Sequence, residues 1–155
     1  KNCYLSFDSD LCENVHYSSM TISDKDSMDS YRLENSQLCY EVINGVRLYK
    51  TFFSEDCHDC HNVYFSKNLS GCSDCFGCIN LRNKRYHIWN EPYTKEAYEQ
   101  KIGELKLDSY ATTEDLKKRA REFWEQSPHK FMHERHNVNV SGDYIFSSKS
   151  FLDSF

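Results

Sequence analysis

The stretch "EDCHDCHNVYFSKNLSGCSDCFGC" (Glu55 to Cys78) decides how this chain is read, because it holds five of the eight cysteines. Cys57-x-x-Cys60 and Cys72-x-x-Cys75 are two thiol pairs at the spacing of a tetrahedral zinc site. Cys57-x-x-Cys60-His61 also spells a c-type haem attachment site. A third reading needs no ligand at all. In it, the cysteines are the small inward side chains of a repeat.

The repeat extends well outside this stretch. Sliding the first half of the chain against itself gives a period of 15, with rows beginning at Asp10, Lys25, Tyr40, Glu55 and Ser70. One column reads Cys12, Ser27, Val42, Cys57, Cys72; a second reads Val15, Ser30, Gly45, Cys60, Cys75; a third reads Cys3, Ser18, Leu33, Leu48, Val63, Cys78. A fourth holds Asn14, Asp29, Asn44, Asp59 and Asp74. Asn and Asp tolerate left-handed backbone angles, so this column predicts a tight corner in each turn. A unit of 15 residues is too short for a helix pair but fits one coil of a β-solenoid. The expected fold is therefore mainly β, a β-solenoid (β-helix) of about 15-residue coils. Six coils would span roughly 29 Å at the usual strand spacing. The predicted interior ladder is Cys12, Val15, Leu33, Val42, Leu48, Cys57, Cys60, Val63, Cys72, Cys75 and Cys78.

The repeat stops near residue 84. A strand is expected over Lys84–Asn90, broken by Glu91-Pro92. A helix follows over about 95–105, capped by Thr94, with Tyr98, Ile102 and Leu105 on one face. A second helix is expected over about 113–126, capped by Thr112 or Thr113, with Leu116, Ala120, Phe123 and Trp124 as its apolar stripe. Ser127-Pro128 would open a short third helix near 128–135. "SKSFLDSF" (Ser148 to Phe155) then matches "DKDSMDSY" (Asp24 to Tyr31), as if the solenoid resumed. The expected organisation is solenoid coils over 1–90, an inserted small α-helical subdomain over 91–136, and an incomplete return to the solenoid over 137–155.

Composition narrows the function classes. Hydrophobic residues make up 39% of the chain and aromatics 15%, which suits a thin fold of short strands and disfavours disorder. No apolar run approaches the ~18 residues of a membrane span, and the first residues show no signal-peptide pattern. The expected location is cytoplasmic. The start at Lys1-Asn2-Cys3-Tyr4 reads as already patterned, so flanking sequence is expected. The net charge of −5 is concentrated in residues 1–83, which carry 7 Lys/Arg against 12 Asp/Glu, a poor basis for phosphate-backbone binding.

"GCSDCFGCINLRNKRYHIWNEPYTKEAYEQKI" (Gly71 to Ile102) resembles a cysteine-repeat family met in small candidate-phylum bacteria and in phage or environmental sequence. Its most specific phrase, FGCxNLRNKxYxIxNxxYxKEEYE, falls on Phe76 to Glu99. "DKDS", "QLCYE" and "FFSEDCHDC" stand where the family has similar phrases, and the resemblance covers nearly the whole chain. Relatives typically carry an N-terminal zinc-ribbon-like segment, which this sequence lacks, and more repeat cysteines. Some carry a CoA-transferase name that nothing in these residues supports. The resemblance implies no established activity.

The repeat weighs against a ligand for the thiols. The cysteine columns hold Ser27, Ser30, Val42 and Gly45 in other rows, none of which replaces a thiolate. Zinc on Cys57, Cys60, Cys72 and Cys75 stays as the alternative cofactor reading, against no cofactor at all. Haem is the weakest, since its spacing is already explained by the repeat. Disulfides Cys57/Cys72 and Cys60/Cys75 would join stacked residues, but free thiols are expected in a reducing compartment. His129, His133 and His136 share a helical face without the order of a metalloprotease motif. Arg82, Lys84, Arg85 and Trp89, with Tyr86 and His87 interleaved, could clamp a single strand. Lys117, Lys118, Arg119 and Arg121 add basic residues, countered by nearby acids.

No nucleophile–base pair or carboxylate pair stands out, so an enzyme is not expected. The reading reached is a non-enzymatic repeat scaffold or binding module, acting through outward columns such as Tyr49 and Tyr64. The alternative is a zinc-stabilised nucleic-acid-associated protein. The expected partner is protein, including the chain itself end to end through coil edges. Nucleic acid and membrane are not expected.

Overall fold

A computed structural model describes residues 2–105, 107–128, 134–135 and 145–146. The fold is mainly β, a β-solenoid of about seven coils with a small helical part after it. The chain separates into a compact unit of residues 1–124 and a second unit of residues 125–155.

Nine strands lie side by side in sequence order: β1 (Phe7–Asp10), β2 (Ser19–Ile22), β3 (Tyr31–Glu34), β4 (Gln37–Val46), β5 (Tyr49–Glu55), β6 (His61–Tyr64), β7 (Ser73–Phe76), β8 (Arg85–Ile88) and β9 (Glu91–Pro92). All pairings from β1 to β8 are parallel; only β9 folds back antiparallel on β8. The register corrects the expected coil length. Phe7 lies beside Ser19, Tyr31 beside Ile43 and His61 beside Ser73, so one coil takes 12 residues rather than 15. Seven such coils stack to roughly 34 Å at the strand spacing.

The reason the longer period is visible in the sequence lies in a finer unit of three. Every third residue from Asn2 to Trp89 has a left-handed backbone, including Asn14, Asp29, Asn44, Asp59 and Asp74 at φ of 51–54°. Every third residue from Cys12 to Cys78 is buried. Each coil thus has four sides of three residues, with an inward residue followed by an outward one and then a corner. A shift of 15 is one coil plus one side. It keeps inward residues inward and corners at corners, but moves one face around the coil. The predicted interior ladder is accordingly buried throughout, whereas its vertical neighbours differ from those expected. Tyr49 stands beside His61, and Tyr64 beside Phe52 and Phe76, so the two tyrosines do not stack on each other.

Left-handed angles cost a non-glycine residue of order 1 kcal/mol. Half of the non-glycine corner positions are Asn or Asp, the residues for which that cost is smallest. Several corner side chains also bond one another between coils: Asn14 Nδ2 donates to Asp26 Oδ1 at 2.8 Å, and Asn44 Nδ2 to Asp56 Oδ1 at 3.1 Å. Arg47 and Asp59 form a two-pronged ion pair along a further corner.

The inward columns explain why serine and cysteine exchange. Backbone bonds between coils use the outward and corner N–H groups: Ser19 N–H donates to Ser30 O at 3.1 Å and Ser23 N–H to Asp10 O at 2.8 Å. Several inward N–H groups find a side-chain oxygen one coil earlier. Ser30 N–H donates to Ser18 Oγ at 3.3 Å, Ser66 N–H to Ser54 Oγ at 3.3 Å and Cys78 N–H to Ser66 Oγ at 3.0 Å. Each γ-hydroxyl or thiol in turn donates to the carbonyl two residues back, as in Ser66 to Tyr64 O at 2.8 Å and Cys60 to His58 O at 3.1 Å. A buried N–H without an acceptor would cost about 1–3 kcal/mol. A short side chain with a polar γ atom is therefore favoured there. Gly45 serves a different need: a Cβ would overlap Leu48 Cδ1 and sit 2.8 Å from Leu33 Cδ2, so it makes room for two leucines.

One inward position is a carboxyl. Asp24 is buried, stacked between Cys12 and Ser36 at the same position of successive coils, and its Oδ1 accepts the Ser36 N–H at 2.8 Å while Oδ2 has no partner. Burial pushes its pKa from 3.8 up to about 6, against the lowering effect of the Ser36 bond. The folded state thus holds its proton more tightly than the unfolded chain. Stability from this group is complete below about pH 4 and is lost as pH rises to about 6, by about 3 kcal/mol in all. Asp24→Asn is expected to remove that fall and to be 1–3 kcal/mol more stable than the parent at pH 7, at the scale of the lost charge burial. Urea unfolding at pH 4 and pH 7 checks this; equal pH dependence in the two proteins would place the charge elsewhere.

After the coils, α1 (Lys95–Glu104) starts at the predicted cap, with Thr94 Oγ1 accepting the Ala97 N–H at 3.3 Å. The second helix, α2 (Tyr110–Glu125), begins earlier than expected. Its first turn includes Thr112 and Thr113, and the Thr113 N–H already donates to Ser109 O at 3.0 Å. Neither threonine is therefore the cap. The expected face of α2 is the buried one: Leu116, Ala120 and Trp124 are buried and Phe123 half-buried. In the second unit, the expected third helix is corrected at its end, where β10 (Glu134–Arg135) pairs in parallel with β11 (Ile145–Phe146). His129, His133, His136 and the match over Ser148–Phe155 lie outside the described residues. The described coils all precede the helices.

Candidate functional site

Two features could carry function: the interior thiols and the aromatic face that carries the helices.

Cys57, Cys60, Cys72, Cys75 and Cys78 are each at most 1% exposed and are all free thiols. Cys57 and Cys60 occupy successive sides of one coil, and Cys72, Cys75 and Cys78 three successive sides of the next. The 12-residue register places Cys60 over Cys72, Val63 over Cys75 and Leu69 over Cys57. This corrects the expected vertical pairs Cys57/Cys72 and Cys60/Cys75, each of which is displaced by one side. Around the core Cys60 neighbours Cys57 and Cys72, and Cys75 neighbours Cys72 and Cys78. The neighbouring sulfurs, Cys57 and Cys72 for Cys60 and Cys72 and Cys78 for Cys75, together with burial push the Cys60 and Cys75 thiols up, while Cys60 and Cys75 hold Cys72 down. Burial pushes Cys39, elsewhere in the core, up to about 12.

Chemically the cluster behaves as core. The thiols also bond backbone carbonyls, with Cys72 Sγ 3.5 Å from Ser70 O and Cys75 Sγ 3.4 Å from Ser73 O, which is the bond the serines make. They pack with Leu33, Val42, Leu48, Val63 and Leu69. Among the described residues, no group of three or more His, Cys, Asp or Glu side chains is arranged to hold a metal ion. The zinc set Cys57, Cys60, Cys72 and Cys75 is thus spread over three sides of two successive coils and is not among the groups arranged to hold a metal. His61 is exposed on the outside of its coil, pointing away from Cys57 and Cys60.

The second feature is an aromatic face. On one side of the solenoid, Phe53, Phe65 and Phe76 run from coil to coil, with ring centroids 4.9 Å apart for Phe53 and Phe65 and 5.3 Å for Phe65 and Phe76. Phe52 and Tyr64 stack beside them at 5.3 Å. Over the later coils α1 and α2 cover this face, burying Tyr98, Leu116, Ala120 and Trp124 against Phe65, Phe76, Ile79 and Ile88. Gly77 makes the approach feasible, since a Cβ there would lie 2.6 Å from the Trp89 ring. A cleft of about 160 Å³ remains beside α2, lined by Glu41, Ile43, Phe53, Phe65, Lys117 and Trp124 among others. Lys117 Nζ sits 2.9 Å from Glu41 Oε1, 3.0 Å from Glu114 Oε1 and 4.3 Å from the centre of the Phe53 ring.

The residues proposed for nucleic acid are brought together only in part, and Arg82, Arg85, Trp89 and Lys117 are engaged in internal contacts, whereas Lys84 and Lys118 are exposed. Trp89 packs on Phe76 and Phe123 and lies under the Arg119 guanidinium at 4.7 Å, so its faces serve the helix dock. Arg82 donates to Asn68 O at 2.8 Å, Arg85 to Ser73 Oγ at 2.9 Å, and Lys117 is held by two glutamates. Lys84 takes an inward position in the last coil yet is exposed. No described helix is long and apolar enough to cross a membrane.

Sequence reasoning missed Asp24 and the continuity of the aromatic face. Both become readable once the columns are taken at 12: Cys12, Asp24, Ser36, Leu48, Cys60, Cys72 in one, and Leu5, Tyr17, Asp29, Glu41, Phe53, Phe65 in the other. No protein-family model matches the chain, and no curated protein matches it.

Proposed function

We propose that this chain is a non-enzymatic repeat scaffold that binds another protein through its outward columns, the thiols serving as core. The observation that carries this reading is the aromatic face on the early coils, which is left exposed where the later coils are covered. Tyr4, Tyr17, Met28 and Tyr31 stand 41–57% exposed there. Large exposed apolar groups gathered at neighbouring positions of successive coils suit a contact surface, since isolated exposed apolar residues need no explanation and contiguous ones do. Against the zinc-stabilised nucleic-acid alternative stand the spread of the thiols over three sides of the core, their serine-like hydrogen bonds and the engagement of Trp89, Arg85 and Lys117 in internal contacts.

A photo-crosslinking residue at Tyr31, and as a control at Gln37 two sides around the coil, tests the reading in lysate of the cells of origin. Discrete heavier adducts from position 31 and none from position 37 are expected. Equal labelling at both positions, or none at either, would overturn it. Elemental analysis of the purified protein tests the alternative: stoichiometric zinc, with folding lost on chelation, would replace the scaffold reading by a metal-dependent one.

A further inference from the structure

We infer that the early coils take a basic amphipathic helix from a partner protein, seated as α2 is seated on the later coils; this rests on the scaffold reading above. The intramolecular dock provides the pattern. There an apolar stripe (Leu116, Ala120, Trp124) lies on an aromatic face, and a lysine on the helix edge reaches a corner carboxylate, Lys117 to Glu41 at 2.9 Å.

The same positions continue one coil at a time past the edge of that dock. Ile43, which lines the cleft beside α2, is followed in the preceding coil by Tyr31, at the same position of the repeat. The corner column that holds Glu41, Phe53 and Phe65 continues upward as Asp29, Tyr17 and Leu5. Tyr17 is 53% exposed and rests edge-on against Tyr4, with centroids 5.7 Å apart. The open surface is therefore continuous with an existing helix-binding surface and is built from the same kinds of side chain.

Size and charge select the occupant. At roughly 200 Å² per large side chain, Tyr4, Leu5, Tyr17, Met28, Tyr31 and Ile43, each about half exposed, present on the order of 500 Å². That is as large as the biggest apolar patch on a typical monomer. From Ile43 back to Leu5 is three coil steps, roughly 15 Å at the strand spacing, the length of about ten helical residues. Asp29 stands one coil from Glu41, and among the described residues no cation lies within ion-pair distance of it. Asp8 lies on the next corner, which also carries Arg32, and Asp26 on the preceding one, so on these three corners of the early coils acids outnumber cations three to one and the rim is negative. Such a rim attracts a helix bearing lysine or arginine beside its apolar stripe. It repels an acidic helix and an anionic bilayer.

The test uses the full chain and two labelled 14-residue helical peptides with the same leucine stripe, one with lysine and one with glutamate on the flanks, read by fluorescence anisotropy. Saturable one-to-one binding of the lysine peptide is expected, at least tenfold tighter than the glutamate peptide. Tyr17→Ser with Tyr31→Ser should weaken it at least tenfold, and Asp29→Lys should narrow or reverse the preference. Circular dichroism confirms that these surface variants keep the solenoid. Equal binding of both peptides, no binding, or binding indifferent to the tyrosines would overturn the inference. So would binding to neutral phosphatidylcholine vesicles that the tyrosine pair abolishes, which would assign the face to a membrane. Adducts from position 31 without peptide binding would discard the helix and keep the scaffold; absence of adducts would discard the scaffold whatever the peptides do.

Discussion

Val63→Asp is expected to leave the chain without a cooperative unfolding transition at pH 7, while Val63→Ser keeps one. Val63 is fully buried between Thr51 and Cys75 in its column and packs with the central apolar cluster. A carboxylate there is surrounded by Leu48, Leu69 and thiols, and an uncompensated buried charge costs several kcal/mol. That is a large share of the 5–15 kcal/mol available to a domain of this size. Asp24 shows what the site would have to supply: its carboxyl accepts the N–H of the next coil and is still pushed up to about 6. Partial recovery of Val63→Asp near pH 4, where the side chain is neutral, is therefore part of the expected result. Thermal melts followed by far-ultraviolet circular dichroism at the two pH values check it. Melting like the parent at pH 7 would mean that this column faces solvent.

The second large effect concerns the helix dock. Phe65→Ala should cost about 3–5 kcal/mol, the usual range for a buried phenylalanine. Phe65 is 1% exposed, touches the Phe53 and Phe76 rings, and lines the cleft beside Ala120 and Trp124. Its loss removes the middle of the surface on which α2 rests. Two buried polar atoms in the dock, the Tyr98 hydroxyl and Trp124 Nε1, already lack partners, so little else compensates. The expected signature is selective: Trp124 fluorescence shifts to the red and the helical circular-dichroism signal fades before the β signal. Simultaneous loss of both signals would show that helices and coils unfold as one unit.

How much of this was legible in the sequence depends on which spacing is considered. Inward and corner positions were readable because Cys, Ser and Val recur at multiples of three, as do Asn and Asp, and 15 is such a multiple. The coil length was not, because the columns at 12 mix unlike residues. One of them runs Cys12, Asp24, Ser36, Leu48, Cys60, Cys72. Chemistry at the γ atom unites the polar members of that list, and packing against Gly45 accounts for the leucine; neither shows up as similarity of residue type. For the thiols, the CxxC spacing suggests convergence on a metal, whereas three residues here mean the next side of a four-sided coil. The cap and stripe place α1, and the stripe places α2, but neither Thr112 nor Thr113 caps α2, and the helix expected near 128–135 gives way to a strand at its end. The aromatic face escaped notice because its members fall at outward and corner positions that a 15-residue frame sends around the rod.

The unit of three has a consequence for how such a chain changes length. A gain or loss of three residues leaves every inward side chain inward and every left-handed corner a corner, so the core tolerates it. What it alters is azimuth: all coils on one side of the event turn by a quarter of a revolution relative to the other. Length variation in this architecture therefore acts like the dial of a combination lock. A step of 12 residues slides the exterior pattern along the axis, bringing a different rung under α2, and a step of three rotates one block of surface against the next. Tyr17, Asp29 and Tyr31 could in this way be carried to a new face without a single substitution.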